Sequence, residues 1–268
     1  MSHPHICLRV ALLAALALPA AACAGLETGN GHNGPVTLSA AFELAAGDPV
    51  DSGGREFTLD GARANVRRVD LDLPAGESCV GIAGLLDGAV VDDSAPHTSV
   101  CLAGGAAIRL NGPFVVDLLT GATTPAIPAV PAPWGTYRRV DIRFDRADPR
   151  DGAVSAGDPL ADQTLVATGT VALNGATTPF SLVLDFNEDA RFESAGGVVL
   201  PDEGPATLIL RLDPARWFAG LPLARCAEAG DLPIEGGTLL LADGDGDCKD
   251  VEDVVRDAIR ASGSLDGP

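Results

Sequence analysis

The stretch Leu165-Val-Ala-Thr-Gly-Thr-Val-Ala-Leu173-Asn-Gly-Ala-Thr-Thr-Pro-Phe180-Ser-Leu-Val-Leu-Asp-Phe186 decides the fold class. In its first arm Leu165, Ala167, Gly169, Val171 and Leu173 alternate with Thr168 and Thr170. In its second arm Phe180, Leu182, Leu184 and Phe186 alternate with Ser181 and Asp185. Successive side chains of a strand point to opposite faces, so a period of two marks a strand with one face buried and one wet. Asn174-Gly175 between the arms reads as a hairpin turn, with Ala176 to Pro179 lengthening the connection.

The pattern recurs outward from there. Residues 36–44 are apolar at every even position; Val69, Leu71 and Leu73 alternate with Asp70 and Asp72; Val140, Ile142 and Phe144 alternate with Asp141 and Arg143; Leu208, Leu210 and Leu212 alternate with Ile209 and Arg211. Phe114 to Leu119 and Thr238 to Leu241 are shorter apolar runs that read as buried strands. With Gly, Pro and Asp separating these runs, the expected fold is all-β, an antiparallel β-sandwich-like body. Two helices are expected. Near 214–219, Asp213 is placed to cap, Pro214 to start and Gly220 to stop a short one. Near 249–261, Val251, Val254, Val255, Ala258 and Ile259 make a helical stripe, with acids in the first turn and Arg256 and Arg260 in the last. The segment 123–134 (TTPAIPAVPAPW) reads as a polyproline-like surface loop.

The N-terminus speaks for export. Arg9 precedes an uncharged apolar run from Val10 to Ala22, which ends in small residues; that is the plan of a secretory signal. The run is shorter than the roughly 20 residues a membrane span needs. Ala20-Ala21-Ala22-Cys23 resembles a bacterial lipobox, which makes Cys23 the expected lipidation site and residues 1–22 the leader. Residues 23–34, rich in Gly and Asn, then form a lipidated tether. A first β half is expected over 35–150 and a second over 151–262, either separate from the first or continuous with it, with the acidic Asp145–Asp162 loop between them. Ala24 is not the Asp associated with retention at the inner membrane, so the expected address is the outer membrane or cell surface of a bacterium, with the lipid anchor as the sole membrane contact.

Cysteine parity agrees. Six Cys are present; Cys7 leaves with the leader and Cys23 takes the lipid. Cys79, Cys101, Cys226 and Cys248 remain, an even number suited to two disulfides in an oxidising compartment. Pairing Cys79 with Cys101 and Cys226 with Cys248 is one of three connectivities.

The full chain carries 37 Asp and Glu against 18 Lys and Arg, a formal net charge of −19. Such a field repels nucleic acid and anionic lipid and favours cations. The segment Asp243-Gly-Asp245-Gly-Asp247 places carboxylates at positions one, three and five of a tight loop that a helix follows. Hard Ca²⁺ takes six to eight oxygens, and this spacing supplies the first three. Glu252 and Asp253 could close a shortened loop, with Cys248 standing where an EF-hand has Gly. The alternative is an acidic turn that caps a helix without metal. Asp185, Asn187 and Asp189, with Glu193 following, make a second oxygen-rich stretch that reads as a polar strand end. After Cys23 the chain has two His, His32 and His97, and no zinc-spaced Cys/His set, phosphate-binding Gly loop or glycine-flanked nucleophile. Asp92, Asp93 and His97 could together hold a metal, or simply be a polar surface loop. Trp134 and Trp217 are the candidate sugar platforms, and Trp217 is expected to pack its helix on the core instead.

Val115-Val116-Asp117-Leu118-Leu119, followed after the Pro-rich stretch by Trp134-Gly135-Thr136-Tyr137-Arg138-Arg139-Val140, resembles a bacterial lipoprotein family known only as a domain of unknown function. That family shows a Val-Asp-Leu-Leu strand and a Pro-Ala-Gly-x-Tyr turn leading into an Arg-bearing strand. The resemblance covers about residues 35–145 and implies an exported β-sandwich without assigned activity. Together these readings predict a non-catalytic surface lipoprotein, stiffened by calcium, with a structural or binding role toward an envelope protein or polysaccharide and none toward nucleic acid. The alternative is a calcium-dependent hydrolase of polysaccharide or peptide.

Overall fold

The computed structural model describes residues 34–86 and 95–267. The leader, Cys23, His32, Asp92 and Asp93 lie outside the described residues.

Among the described residues fourteen strands join in one sheet system. They are β1 (Val36–Leu44), β2 (Phe57–Asp72), β3 (Ser99–Cys101), β4 (Ala107–Asp117), β5 (Thr123–Thr124), β6 (Val130–Ala132), β7 (Gly135–Phe144), β8 (Leu165–Leu173), β9 (Ala176–Leu184), β10 (Glu188–Leu200), β11 (Pro205–Leu212), β12 (Ile234–Glu235), β13 (Thr238–Leu240) and β14 (Gly263–Asp266). The main path runs β12-β13-β9-β8-β2-β7-β10-β14-β11-β1-β6, with β4 also on β2 and carrying β3 and β5. Strands from 35–150 and 151–262 alternate along this path, so the two halves of the sequence are continuous in one sheet. The sheet is mixed: β1 runs parallel to β11, β14 to β10 and β13 to β9.

The opening stretch forms the β8–β9 hairpin, but its turn is tighter than expected. Leu173 pairs directly with Ala176, and Asn174 (φ 49°) and Gly175 (φ 80°) alone make the turn. Ala176 to Pro179 are strand residues. Both turn positions need φ above zero, which Asn and Gly supply at least cost. The Pro-rich segment is also more ordered than a surface loop. Its end, β6, lies at one end of the sheet path against β1, with Val130 and Ala132 buried and Pro131 opposite Thr37. Proline is tolerated on an edge, where one strand side lacks a partner.

The sheet bends around one large apolar core. Phe42 meets Phe192 edge-on at 6.4 Å, and Phe57 meets both Phe180 (5.5 Å) and Phe218 (5.1 Å). Trp217, fully buried, follows a single 3₁₀ turn at Pro214–Arg216 and donates from Nε1 to Ser262 Oγ. The helix α1 (Leu223–Ala229) was not foreseen; it is too short to show a period. Its start is held by Asp51, a buried carboxylate that accepts from the backbone of Gly53, Arg55 and Ala224. Helix α2 (Val251–Arg260) buries Val251, Val255 and Ile259 as its stripe requires. The chain then returns as β14, wedged between β10 and β11. Disulfides join Cys79 to Cys101 and Cys226 to Cys248, each at a sequence separation of 22. No described helix is long and apolar enough to cross a membrane.

Candidate functional site

The molecule's charged face grows from a repeat. Arg67-Arg68-Val69-Asp70-Leu71 in β2 recurs as Arg138-Arg139-Val140-Asp141-Ile142 in β7. Two consecutive arginines between buried residues break the period of two, so each copy needs an irregularity to keep both charges out of the core. β2 has one between Val66 and Arg68, where both neighbouring ladders shift register. At Arg138 the irregularity falls on the partner strand: β10 pairs through Glu193, then resumes at Val198, and residues 194–197 bow away. Gly197 (φ 74°) permits this, since a Cβ there would meet Thr136 Cγ2 at 2.3 Å. Bulges re-aim side chains in this way.

Antiparallel pairing sets the two copies against each other, with Asp70 opposite Asp141. Like charges in that position destabilise unless answered, and each Asp is answered from the far side. Arg109 of β4 forks onto Asp70 at 2.7 and 2.9 Å, and Arg191 of β10 reaches Asp141 at 3.1 Å. Arg68 and Arg143 share Asp189, each at 3.3 Å. Arg139 pairs with Asp72, and its Nε lies 3.2 Å from Asp141 without the alignment of a hydrogen bond. Burial raises the Asp72 pKa above the ordinary carboxylate value; Arg139 opposes this, and Asp141 and Asp70 add to it.

Beside this lattice the bow in β10 opens a groove of about 940 Å³. One wall carries Glu193, Ser194 and Ala195; the other carries Asp72, Glu77 and the Pro133–Arg139 turn with half-buried Trp134. The turn is a tyrosine corner. Tyr137, fully buried, donates its hydroxyl to the carbonyl of Pro133 at 2.8 Å, four residues back. Burial, and secondarily the charge of Glu77, hold the phenol pKa well above its ordinary value, so it stays a donor. Gly135 (φ 135°) completes the corner against Pro74, whose ring a Cβ would meet at 3.0 Å. Gly and Tyr in Trp134-Gly135-Thr136-Tyr137 thus fix the direction in which Trp134 leaves the sheet. Trp134 was legible in the sequence and the groove was not; the repeated Arg-Arg-Val-Asp was the signal that could have located it.

The expected calcium residues lie elsewhere and are used singly. Asp243 Oδ1 accepts from the backbone N–H of Glu252 at 3.0 Å, capping α2 from nine residues upstream. Asp245 precedes a 3₁₀ turn with no side-chain cap bond, Asp247 pairs with Arg225, and Asp253 pairs with Arg256 at 2.6 Å. Glu252 has its pKa raised, first by burial and then by Asp243, Asp253 and Asp185. The glycines serve the backbone. A Cβ on Gly244 would meet the Asp231 carbonyl at 2.1 Å, and Gly246 has φ 58°. Among the described residues no three His, Cys, Asp or Glu side chains gather as a metal-holding group. Asp185 pairs with Arg146, while Asp189 serves the arginines of the face. His97 (φ 57°) packs near Phe114, with ring centroids 6.1 Å apart.

No family model matches the chain, and no curated protein matches it. Among solved structures it is similar to MbnP from Methylosinus trichosporium, at 13% identity over 81% of this chain and 86% of that one, with a TM-score of 0.36. A likeness that loose carries no argument about function.

Proposed function

We propose that the chain is an exported, lipid-anchored protein of the bacterial envelope whose β body presents the Trp134 groove to a ligand and performs no covalent chemistry. The observation that carries this is the construction of the groove. A tyrosine corner and a bulge, both built by residues of special backbone conformation, set Trp134 among the charged lining residues of its walls. The arginines of those walls are already engaged, Arg139 by Asp72 and Arg138 by the Ala195 carbonyl at 3.3 Å. Groups committed to one another in this way position a ligand and are poorly placed to turn over a substrate.

The anchor is tested by fractionation. Wild-type chain should remain with membranes and show an acylated Cys23 by mass spectrometry; Cys23→Ser should be exported and soluble. Recovery of unacylated wild-type protein in the soluble fraction would remove the anchor from the proposal. Calcium belongs to the same proposal as a stiffener of the 243–253 loop, with Asp243, Asp245, Asp247, Glu252 and Asp253 as its candidate oxygens. Millimolar Ca²⁺ after chelation should then raise Tm, and an unchanged Tm discards it.

A further inference from the structure

We infer that the end of the β body where β1 begins is a lipid-contact surface, and that the apolar slot there between β10 and β11 rests on the zwitterionic phospholipid of the bilayer that holds Cys23. This rests on the reading of the chain as lipid-anchored. It adds the body itself to a membrane contact that the sequence assigns to the lipid alone.

Three observations lead there. The first is where the chain enters. The described residues begin at Gly34, and Gly34 to Thr37 line a cavity of about 470 Å³ together with the exposed turn 202–205. Eleven residue steps separate Gly34 from Cys23, and at about 3.5 Å each they span at most about 38 Å. From Val36, β1 runs nine residues, about 30 Å of strand. A lipid on Cys23 therefore holds the body by its Val36 end, with the Leu44 end a strand length further off.

The second is what that end exposes. In β10, Val198 and Leu200 are buried, so a period of two assigns position 199 to water; it is Val199, 74% exposed. Val199 lines a second cavity, of about 480 Å³, with Val198, Leu200, Pro201, Pro205 and Ala206. Pro205 belongs to both cavities, so the slot is continuous with the point of chain entry. Pro35, Pro201 and Pro205 are exposed beside it. Single apolar residues on a surface are ordinary. Four gathered where the chain is attached mark a contact face.

The third is charge. The turn beside the slot carries Asp202 and Glu203, both exposed, and the whole chain has a formal net charge of −19. That field repels anionic lipid, whereas it attracts the ammonium end of a phosphatidylcholine or phosphatidylethanolamine headgroup. An apolar slot with an acidic rim suits a zwitterionic surface.

The test uses the acylated chain reconstituted in phosphatidylcholine vesicles. Val199→Cys and Ala46→Cys each carry one environment-sensitive dye. Ala46 is exposed just past the far end of β1 and serves as the distal control. Neither substitution touches the core, and mapping both native disulfides certifies that each variant is folded. Nitroxide-labelled phosphatidylcholine should remove about half of the 199 emission, as for a group at the headgroup boundary, and leave the 46 dye unchanged. The quenching should survive a Gly-Ser segment inserted after Asn33 and should weaken when phosphatidylglycerol is added to the vesicles.

If both dyes are quenched alike, the body has no preferred end and the inference falls. If quenching disappears with the longer tether, the face has no hold on lipid of its own, which overturns the inference as well. Stronger quenching on phosphatidylglycerol would overturn the assigned headgroup chemistry. A concentration-dependent change of the 199 dye in the soluble Cys23→Ser chain would make a second copy the occupant and displace lipid from the slot. If wild-type chain is unacylated and does not float with vesicles, the anchor and this inference fail together. An acylated chain that floats with its 199 dye unquenched sinks this inference alone.

Discussion

Aspartate is used in opposite ways in two regions of this molecule. On the β2–β7 face Asp70 and Asp141 stand opposite each other, and each meets an arginine from an outer strand. In the 243–253 loop the same residue type recurs with nearly the same density. There Asp243 holds a helix N–H and Asp247 a single exposed arginine. The difference is periodicity. A ladder fixes where every side chain points, so register decides which charge meets which. A glycine-punctuated loop has no register, and its carboxylates go to the nearest unsatisfied backbone group or cation. A string of Asp therefore means nothing until the backbone period around it is known.

The comparison breaks first if the two regions do not share a cooperative unit. Phe57 of β2 touches Phe180 of the sheet and Phe218 of the C-terminal region. Phe57→Ala should cost about 3–5 kcal/mol, as buried Phe truncations do, in a single denaturant transition. Two transitions would mean that the loop region melts alone. Next come the cross-links. Both disulfides span a separation of 22, so chain entropy assigns each about 3 kcal/mol. Replacing Cys226 and Cys248 by Ser should lower Tm at least as far as replacing Cys79 and Cys101, because the loop has no ladder to fall back on. A smaller drop would show that caps alone hold it.

Single carboxylates sharpen the contrast further. Asp70→Asn leaves the partly buried Arg109 and Arg68 beside a neutral amide in place of the carboxylate they share. A loss of about 2 kcal/mol in denaturant melts is expected, since hydrogen bonds to charged groups carry about 1.5–3. Asp243→Ala removes one helix cap and should cost about 1 kcal/mol. Equal losses would erase the distinction between register and loop.

These contrasts also explain what could be read from the chain. The hairpin 165–184 was legible because alternation and Asn-Gly act over neighbouring residues. The stripe of α2 and the capped turn before Trp217 were legible for the same reason. Strand β10 was not: its alternation through Ala190 and Phe192 stops at Ser194-Ala195-Gly196-Gly197, the bow that makes the groove. β14 is four residues long and is defined by the slot it enters. Asp243-Gly-Asp245-Gly-Asp247 was readable as a tight turn, yet the purpose of Gly244 is set by the Asp231 carbonyl, which no local pattern reveals. Distance along the chain between partners, more than their chemistry, decided what stayed hidden.

The smallest expected effect is a pH dependence that differs in sign between groups. Glu252, at the loop, has a folded pKa above its ordinary value of 4.5. The folded protein therefore holds its proton more tightly than the unfolded chain does. Its contribution to stability is fully present below 4.5 and is lost as pH rises through the raised folded value. Asp158 runs the other way. Arg63 forks onto it and the Leu160 N–H donates to it, so its folded pKa lies below 3.8. Its contribution is present above 3.8 and is lost as pH falls through the lowered value. In calcium-free buffer Glu252→Gln should accordingly stabilise the protein at pH 7 relative to wild type by less than about 1 kcal/mol, the scale of partly exposed charges, and the gain should vanish near pH 4. Asp158→Asn should destabilise at pH 7 and converge with wild type in acid. If Glu252→Gln is instead destabilising at pH 7, the carboxylate is being used as an anion there, and the loop answers its charges as the strand face does.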